Sequence, residues 1–423
     1  MTAFTELLRR NANYRNVWLG QVVSEMGDYF NNVAVFSLAM ETTGSGLVVS
    51  GVMLARAIPA MLAGPVAGVI LDRLDRKRVM ILSDLMRFAV ALAFILTIRY
   101  PESWLLYLLS ALLMFASPFF TSGRAAILPA IAGGAELHAA NALMQTTQWA
   151  TQTLGALLAG GCVAWLGFEW AFVFNAASFL FSAAAIARIR PDGRFRARGP
   201  APEAMLRPWS EYRAGLAYMR ATPLVFAVAM LSVGWALGGG AAQLLFTLFG
   251  GQVFQRGAAG IGAMWGFAGL GLLLGGLAGH ALGRRMTFRG YKRTVAVSYL
   301  AHALAFMAFS QARGYWMALT LVCASRVGMA VSSVLNYSQL LRHTPDHFRG
   351  RTFATLESLR WAVMIASLAA AGAATAYFDP RAIGLAAGAL ASLAAAWWLW
   401  TDWTGRLPEP GGPQSALRMR TAR

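Results

Sequence analysis

The chain has 423 residues, of which 57% are hydrophobic and 13% are charged. This composition excludes an ordinary soluble globular protein, because such domains carry about a quarter charged residues. The formal net charge of +18 would suit a nucleic-acid-binding protein, but the positions of its cations indicate a membrane surface and argue against nucleic acid as the partner.

Twelve apolar runs follow one another along the chain, each long enough to cross a hydrocarbon core of about 30 Å as a helix rising about 1.5 Å per residue. Between the sixth and seventh runs lies a stretch with eight arginines, four prolines and no run of spanning length, which is typical of a linker. We therefore predict an all-α membrane protein with two six-helix bundles, 1–187 and 223–401, a cytoplasmic linker, 188–222, and a cytoplasmic tail, 402–423. The predicted spans lie at about 16–40, 47–71, 79–98, 104–122, 140–166, 170–186, 223–249, 258–282, 294–311, 315–340, 352–377 and 383–400.

Lys and Arg are divided unequally between the loops that join these spans. Loops on one side of the membrane hold 28 of the 36 Lys and Arg residues, loops on the other side hold four, and four more lie within spans. Because loops rich in Lys and Arg stay on the cytoplasmic side, this asymmetry predicts a multi-pass protein of the inner membrane with both termini in the cytoplasm.

The end of the linker, 209–220, predicts a surface helix. Two interpretations stay open for it. In one, Trp209, Leu216 and Met219 face lipid; in the other, the helix is solvated and its aromatic residues are scattered.

Span one carries a stripe of polar residues at three- and four-residue spacing, which places them on one helix face. Its members are Gln21, Ser24, Glu25, Asp28, Asn31 and Asn32. Such a stripe requires a water-filled cavity or another polar helix beside it. Asp28 lies roughly 18 Å along span one, and Arg56 lies roughly 14 Å along span two, which enters from the other side of the membrane. The two residues are therefore at similar depth, and we expect Arg56 to pair with Glu25 or Asp28. Two interpretations stay open. In one, a carboxylate of the stripe takes up and releases a proton, with Glu25 the better candidate and Arg56 as its partner. In the other, Asp28 and Arg56 form a permanent structural pair.

Span five carries a second stripe of amides and one indole, a combination that suits a large polar and aromatic ligand. The stripe consists of Gln145, Gln148, Trp149 and Gln152, preceded by Asn141 and interleaved with threonines. The alternative for the threonines is a hydrogen bond to the preceding helical turn. With Gln21 and Asn32 of span one, these amides are the predicted substrate-cavity residues. Span ten contains no carboxylate that could pair with Arg326 within its own helix, so Arg326 is a further candidate, for an anionic group.

The loop between spans two and three resembles the Gly-x-x-x-Asp-Arg-x-Gly-Arg-Arg signature of the major facilitator superfamily. The matching residues are Gly68, Asp72, Arg73, Arg76 and Lys77, while Asp75 replaces the second glycine. We expect Gly68 to let two helices approach closely. Together with Asp84 and Arg87 of span three, the loop is expected to form a cytoplasmic gate.

Other segments resemble one branch of that superfamily, the enterobactin exporter and macrolide efflux transporters. The similar segments are Trp18-Leu19-Gly20-Gln21, Gly27-Asp28, Ala57-Ile58-Pro59, Leu82-Ser83-Asp84-Leu85-Met86-Arg87, Ala140-Asn141-Ala142-Leu143 and Arg349-Gly350-Arg351. The resemblance implies the twelve-helix fold and alternating access. In the exporter motif of span five, Ala156 stands where the family has proline, which weakens the inference of antiport. The arginine of the family's span four has no mid-span counterpart, because Arg124 is predicted to lie at the inner end of that span.

The predicted function is a secondary active transporter that exports a hydrophobic or amphiphilic small molecule, by proton antiport, as a monomer. An importer or uniporter of the same fold is the alternative, and a membrane-embedded transferase or a transport-inactive sensor comes after it. No cofactor and no metal are expected, because neither a phosphate-binding glycine loop nor metal-ligand spacing occurs in the sequence. His302 and the pair Glu357 and Arg360, one turn apart in span eleven, are expected to make structural contacts.

Overall fold

The computed structural model describes residues 3–133, 136–190, 208–284 and 286–410. Within these ranges the chain forms fifteen α-helices and one π-helical turn, and no strand. The helices are α1 Ala3–Arg10, α2 Ala12–Thr43, α3 Gly46–Arg73, α4 Arg76–Ala93, α5 Leu96–Arg99, α6 Ser103–Ile131, α7 Glu136–Leu166, α8 Phe168–Ala187, α9 Pro208–Ala221, α10 Pro223–Leu248, the π turn Phe249–Val253, α11 Gly257–Gly283, α12 Phe288–Ser310, α13 Tyr315–His343, α14 Asp346–Ala374 and α15 Pro380–Trp403.

The all-α prediction is confirmed, and each predicted span corresponds to a long helix. Nine helices of the described chain are long and apolar enough to cross a membrane, judged by length and composition alone. The three long helices that fall short of this criterion are α2, α7 and α12. The first two carry the predicted polar stripes, so the groups that lower their hydropathy are the ones of functional interest.

Capping side chains set several helix starts. Asn11 accepts a hydrogen bond from the Tyr14 amide at the start of α2, and Ser45 accepts one from Val48 at the start of α3. Such a bond satisfies one of the amide groups that a helix start leaves unpaired. Asp379 does the same for α15.

The first compact unit contains residues 1–202 and 246–269. In it α2 packs against α7 and α8, α3 packs against α6, and α4 packs against α6 and α8. At Gly123 of α6, a Cβ would lie 2.6 Å from Cγ of Met80, so the absence of a side chain there brings α6 against α4.

Helix α7 and the first part of α11, both in this unit, meet through their backbones. A Cβ on Gly262 would lie 2.5 Å from the carbonyl oxygen of Ala156, and a Cβ on Gly160 would lie 2.8 Å from that of Ala258. We call this contact the glycine seam. It is the close backbone approach that small residues permit between membrane helices.

The second compact unit contains residues 203–245 and 270–423. Helix α12 packs against α13 and α15, and the buried Trp398 donates a hydrogen bond to the Lys292 carbonyl at 3.1 Å. The predicted domain boundaries stay a prediction.

The predicted linker helix exists as α9, but the lipid-facing orientation is wrong for Met219. That side chain is 2% exposed, and Tyr218 stacks on Phe348 of α14 with ring centroids 4.5 Å apart. Gly215 allows this docking, since a Cβ there would lie 2.4 Å from Oγ1 of Thr355. The Trp209 side chain lies outside the described residues.

Candidate functional site

Glu25 of α2 is the centre of a polar cluster to which three helices contribute. Its Oε1 is 3.1 Å from Nη1 of Arg124 on α6 and accepts a hydrogen bond from Nε2 of Gln21 at 2.9 Å. Its Oε2 accepts a hydrogen bond from the Thr151 hydroxyl of α7 at 3.1 Å. The Glu25 and Arg124 side chains are each 18% exposed, so this pair is partly buried and still reachable by water.

Arg124 is the member of this cluster that sequence reasoning missed. We predicted that span four ends at residue 122, whereas α6 continues to Ile131 and keeps Arg124 within the helix. The signal was the apolar segment 125–128, which continues the helical pattern; Pro129 was instead interpreted as part of a loop. Pro129 lies inside α6, near its end.

The predicted ion pair of Arg56 with Glu25 is wrong, because Glu25 pairs with Arg124; Asp28 acts on Arg56 through space, without a direct ion pair among the described residues. Nη1 of Arg56 donates a hydrogen bond to Oδ1 of Asn31 at 2.9 Å, and the Arg56 residue is 7% exposed. Asn31 lies nearly two turns beyond Glu25 on α2, at the level of Arg56, whereas the extension of α6 brings Arg124 to Glu25.

Asp28 makes no ion pair among the described residues. Its Oδ1 is buried without a hydrogen-bond partner there. Arg87 and Arg56 lie near enough to act on it through space as cations, and Glu25 and Asp84 as anions. Asp28 therefore lies within a group of three cations and three carboxylates once Arg124 is included.

The second predicted stripe contains exposed amides and threonines that donate hydrogen bonds to the preceding helical turn. Gln145 and Gln148 are exposed and joined by a 3.1 Å hydrogen bond, while Trp149 and Gln152 are half-buried. Thr146 donates to the Ala142 carbonyl and Thr153 to the Trp149 carbonyl, each at 2.9 Å, as the alternative interpretation of the threonines predicts. On span one, Asn32 is half-buried.

Gln21, in contrast, is 1% exposed and bonded to Glu25, so it belongs to the Glu25 cluster and does not line a cavity. This corrects its predicted role: the face of α2 that carries Gln21 is covered by α7, whose Met144 carbonyl lies 3.5 Å from Nε2 of Gln21.

The signature loop is held by backbone carbonyls more than by ion pairs. Nη1 of Arg76 donates to the Ala126 carbonyl at 2.9 Å, and Nζ of Lys77 donates to the Ala187 and Ile189 carbonyls at 2.7 Å each. The Asp72–Arg76 pair is long, at 4.0 Å, and the Asp72 side chain is 41% exposed.

Two residues of this loop depart from expectation. Asp75, which replaces the family's glycine, caps α4 by accepting a hydrogen bond from the Arg78 amide at 3.2 Å. The predicted close approach at Gly68 is wrong, because a Cβ there would meet nothing within 4 Å in the described structure. The close contact beside this loop is made by Gly123 instead. Arg73 is exposed.

Asp84 and Arg87 form a buried ion pair, with side chains 0% and 2% exposed. The guanidinium lies between two rings, 4.7 Å from the centroid of Phe120 and 4.4 Å from that of Phe179. The pair lies about 12 Å along α4 from Arg76, so the expected joint network with the signature loop is wrong. The helix rise separates the two groups.

In the second unit, the predicted structural contacts of His302 and Glu357 are confirmed. Nδ1 of His302 lies 2.8 Å from the Ser325 hydroxyl, and Arg360 forms an ion pair with Glu357. Arg326 is 6% exposed and packs beside the sulfur of Met329, 3.4 Å from its Nη1. Among the described residues no group of three or more His, Cys, Asp or Glu side chains is arranged to hold a metal ion.

Comparison with known proteins agrees with this helical architecture. The chain is 28% identical over 356 residues to the enterobactin exporter EntS of Escherichia coli O1:K1 / APEC, covering 82% of this chain and 81% of EntS. It is 28% identical over 220 residues to the uncharacterized MFS-type transporter YfiS of Bacillus subtilis (strain 168), covering 52% of this chain and 52% of YfiS, about half of that relative's length.

Among solved structures, a bacterial homologue of the iron transporter ferroportin in an inward-facing state superposes with a TM-score of 0.67 at 19% identity. The superposition covers 93% of this chain and 99% of that one, and at this identity it shows the fold alone. The family profile described as Major Facilitator Superfamily matches residues 17–365. With that match over most of its length, the chain belongs to the major facilitator superfamily of multi-pass membrane transporters.

Proposed function

We propose that the protein exports a hydrophobic or amphiphilic small molecule across the inner membrane, in exchange for protons, with both termini in the cytoplasm. The exporter name of EntS, which aligns over most of both chains, supports the direction. The unequal distribution of Lys and Arg between loops supports the orientation. Alternating access of the two predicted bundles supplies the route.

The observation that carries proton coupling is the Glu25 cluster. Glu25 is bound by one cation, Arg124, and by two neutral donors, and it keeps partial contact with water. Glu25, Asp28 and Asp84 form one group with Arg56, Arg87 and Arg124, and the charges of this group balance when all three carboxylates are ionised. Protonating Glu25 leaves an unmatched cation, and unit charges about 4 Å apart interact by roughly 4 kcal/mol at an effective dielectric constant near 20. In this proposal the carboxylate takes up and releases a proton as the cavity alternately faces the two compartments.

Purified protein in liposomes tests this proposal. An imposed pH gradient should drive accumulation of an amphiphilic probe, either rhodamine 6G or naphthalene-2-sulfonate. Glu25→Gln should abolish that accumulation and preserve exchange of the probe in a counterflow assay, because binding and alternation remain while the titrating group is gone. Glu41→Gln, which removes a carboxylate at the far end of the same helix, is the matched control and should transport normally.

Three outcomes would change the proposal. Full gradient-driven transport by Glu25→Gln would move the proton site elsewhere, with Asp28→Asn the next variant to measure. Transport that ignores the gradient in the unaltered protein would favour a uniporter. Accumulation in the opposite direction would favour an importer.

A further inference from the structure

The second unit contains a cavity of about 230 Å³ between α10, α12, α13 and α14. Most of its wall is aromatic or aliphatic, including Trp235, Tyr299, Tyr337 and Phe353. Ligand pockets usually measure about 300–1,000 Å³, so this cavity suits one ring system or one arm of a larger molecule.

One ion pair lies in this wall. Arg360 pairs with Glu357, whose Oε1 also accepts a hydrogen bond from Nε1 of Trp361 at 2.9 Å. The guanidinium lies 5.6 Å from the ring centroid of Trp235 and 5.9 Å from that of Trp361. The two indoles thus hold the Arg360 head group in place at the cavity.

Two buried donors in the described wall of the cavity lack an acceptor. Nε1 of Trp235 and Nε of Arg360 are buried without a hydrogen-bond partner in the part of the chain that the structure describes. Asn336 uses its carbonyl oxygen to accept from the Tyr291 hydroxyl at 2.8 Å, which leaves its NH2 group for other contacts. Buried donors of this kind are satisfied by a ligand that brings acceptors.

Two hydroxyl groups of the wall already donate to backbone carbonyls. Ser232 donates to the Val228 carbonyl at 2.8 Å, and Tyr299 donates to the Leu231 carbonyl at 3.1 Å. Among the buried polar atoms of the described wall, those left without a partner are Nε1 of Trp235 and Nε of Arg360.

We propose that this cavity binds a planar aromatic group that carries an anionic oxygen, of the carboxylate or sulfonate class. The anion receives hydrogen bonds from Arg360 and from Nε1 of Trp235, and the ring lies against the aromatic wall. Arginine suits such an anion because its planar fork matches two oxygen atoms. Binding of such a group does not depend on the proposed transport function. That the bound group is part of a transported substrate does rest on it.

Glu357 competes with the bound anion, since both draw on the same guanidinium. Removal of the Glu357 charge should consequently strengthen anion binding, whereas removal of the Arg360 charge should weaken it. Local unfolding would weaken binding in both variants, so the opposite signs separate ligand contact from structural damage. If the cavity instead bound a cation, removal of the Glu357 charge would weaken binding and removal of the Arg360 charge would strengthen it.

Equilibrium binding to purified protein in nanodiscs, without any gradient, tests the inference independently of transport. The probes share one ring system and differ in charge: naphthalene-2-sulfonate, naphthalene-2-methanol and (2-naphthylmethyl)trimethylammonium. The sulfonate should bind about tenfold more tightly than the alcohol, and Arg360→Met should remove that preference. Glu357→Gln should raise sulfonate affinity severalfold.

Trp235→Phe keeps an aromatic ring in the wall and removes the donor, so it should lower sulfonate affinity about threefold more than it lowers affinity for the alcohol. Trp316→Phe, at a 73% exposed indole outside the cavity, is its matched control and should change neither. Tighter binding of the ammonium probe, equal binding of all three, or unchanged sulfonate binding in Arg360→Met would each overturn the proposal. If Arg360→Met does not fold, the Glu357→Gln result still decides, because weaker sulfonate binding there refutes the competition.

Discussion

The buried pair on α4 predicts a large loss of stability on a nearly isosteric substitution. Asp84→Asn removes one charge and leaves Arg87 as a cation in a site where its side chain is 2% exposed. Breaking a buried ion pair by removing one partner destabilises a protein by about 3–5 kcal/mol, because the remaining charge is left uncompensated.

The structure favours the lower end of that range. The new amide oxygen can still accept a hydrogen bond from Arg87, and the rings of Phe120 and Phe179, 4.7 and 4.4 Å away, continue to attract the guanidinium. We therefore expect a loss of about 3 kcal/mol in the free energy of unfolding. At about 2–4 °C per kcal/mol, Tm should fall by about 6–12 °C.

Thermal unfolding of detergent-purified protein, followed by the loss of the monodisperse size-exclusion peak, measures this change. Asp72→Asn is the matched control, because its 4.0 Å pair is surface-exposed and should contribute at most about 1 kcal/mol. The double variant Asp84→Asn with Arg87→Met should recover at least half of the lost Tm, since no unpaired charge remains. Equal Tm values for Asp84→Asn and Asp72→Asn would refute the reasoning.

Three further predictions concern transport, packing and orientation. Asp72→Asn should slow liposome flux severalfold at unchanged expression, because the signature loop is predicted to act as the cytoplasmic gate; wild-type flux at equal protein level would contradict this role. Gly262→Ala should lower Tm by several degrees, because its Cβ would lie 2.5 Å from a backbone oxygen, whereas Gly161→Ala, with open space, should not; equal effects would show that the seam tolerates side chains. A reporter within 42–45 should appear outside the cell and one at the C-terminus inside, and any other result would change the predicted topology.

The fold was predictable because a hydrocarbon core demands helices of nearly fixed length, and apolar runs of that length are visible without tertiary information. Helix ends were less predictable. Pro129 and the glycines after it favour a loop and so predict an end of span four at residue 122, whereas α6 accommodates Pro129 near its end. Because of that predicted boundary, Arg124 was not among the predicted site residues.

Pairs within one helix were predicted more accurately than pairs between helices. Glu357 and Arg360 are three residues apart, so helical periodicity alone puts them on one face. The partners of Glu25 and Arg56 depend instead on the axial offset and rotation of neighbouring helices, which a single sequence does not specify. Helix offsets also decide which glycine lies at a helix contact. The sequence predicts close packing at Gly68, whereas the structure has it at Gly123.

The glycine seam between α7 and α11 also has a consequence for motion. Where helices interlock through large side chains, sliding one past the other requires knobs to leave their holes and rotamers to change. At Gly160 and Gly262 the surfaces in contact are backbone, with no side-chain rotamers to rearrange. Small shear displacements along this line keep the contact area nearly constant and meet a low barrier. We expect sliding within the first unit to begin at this seam.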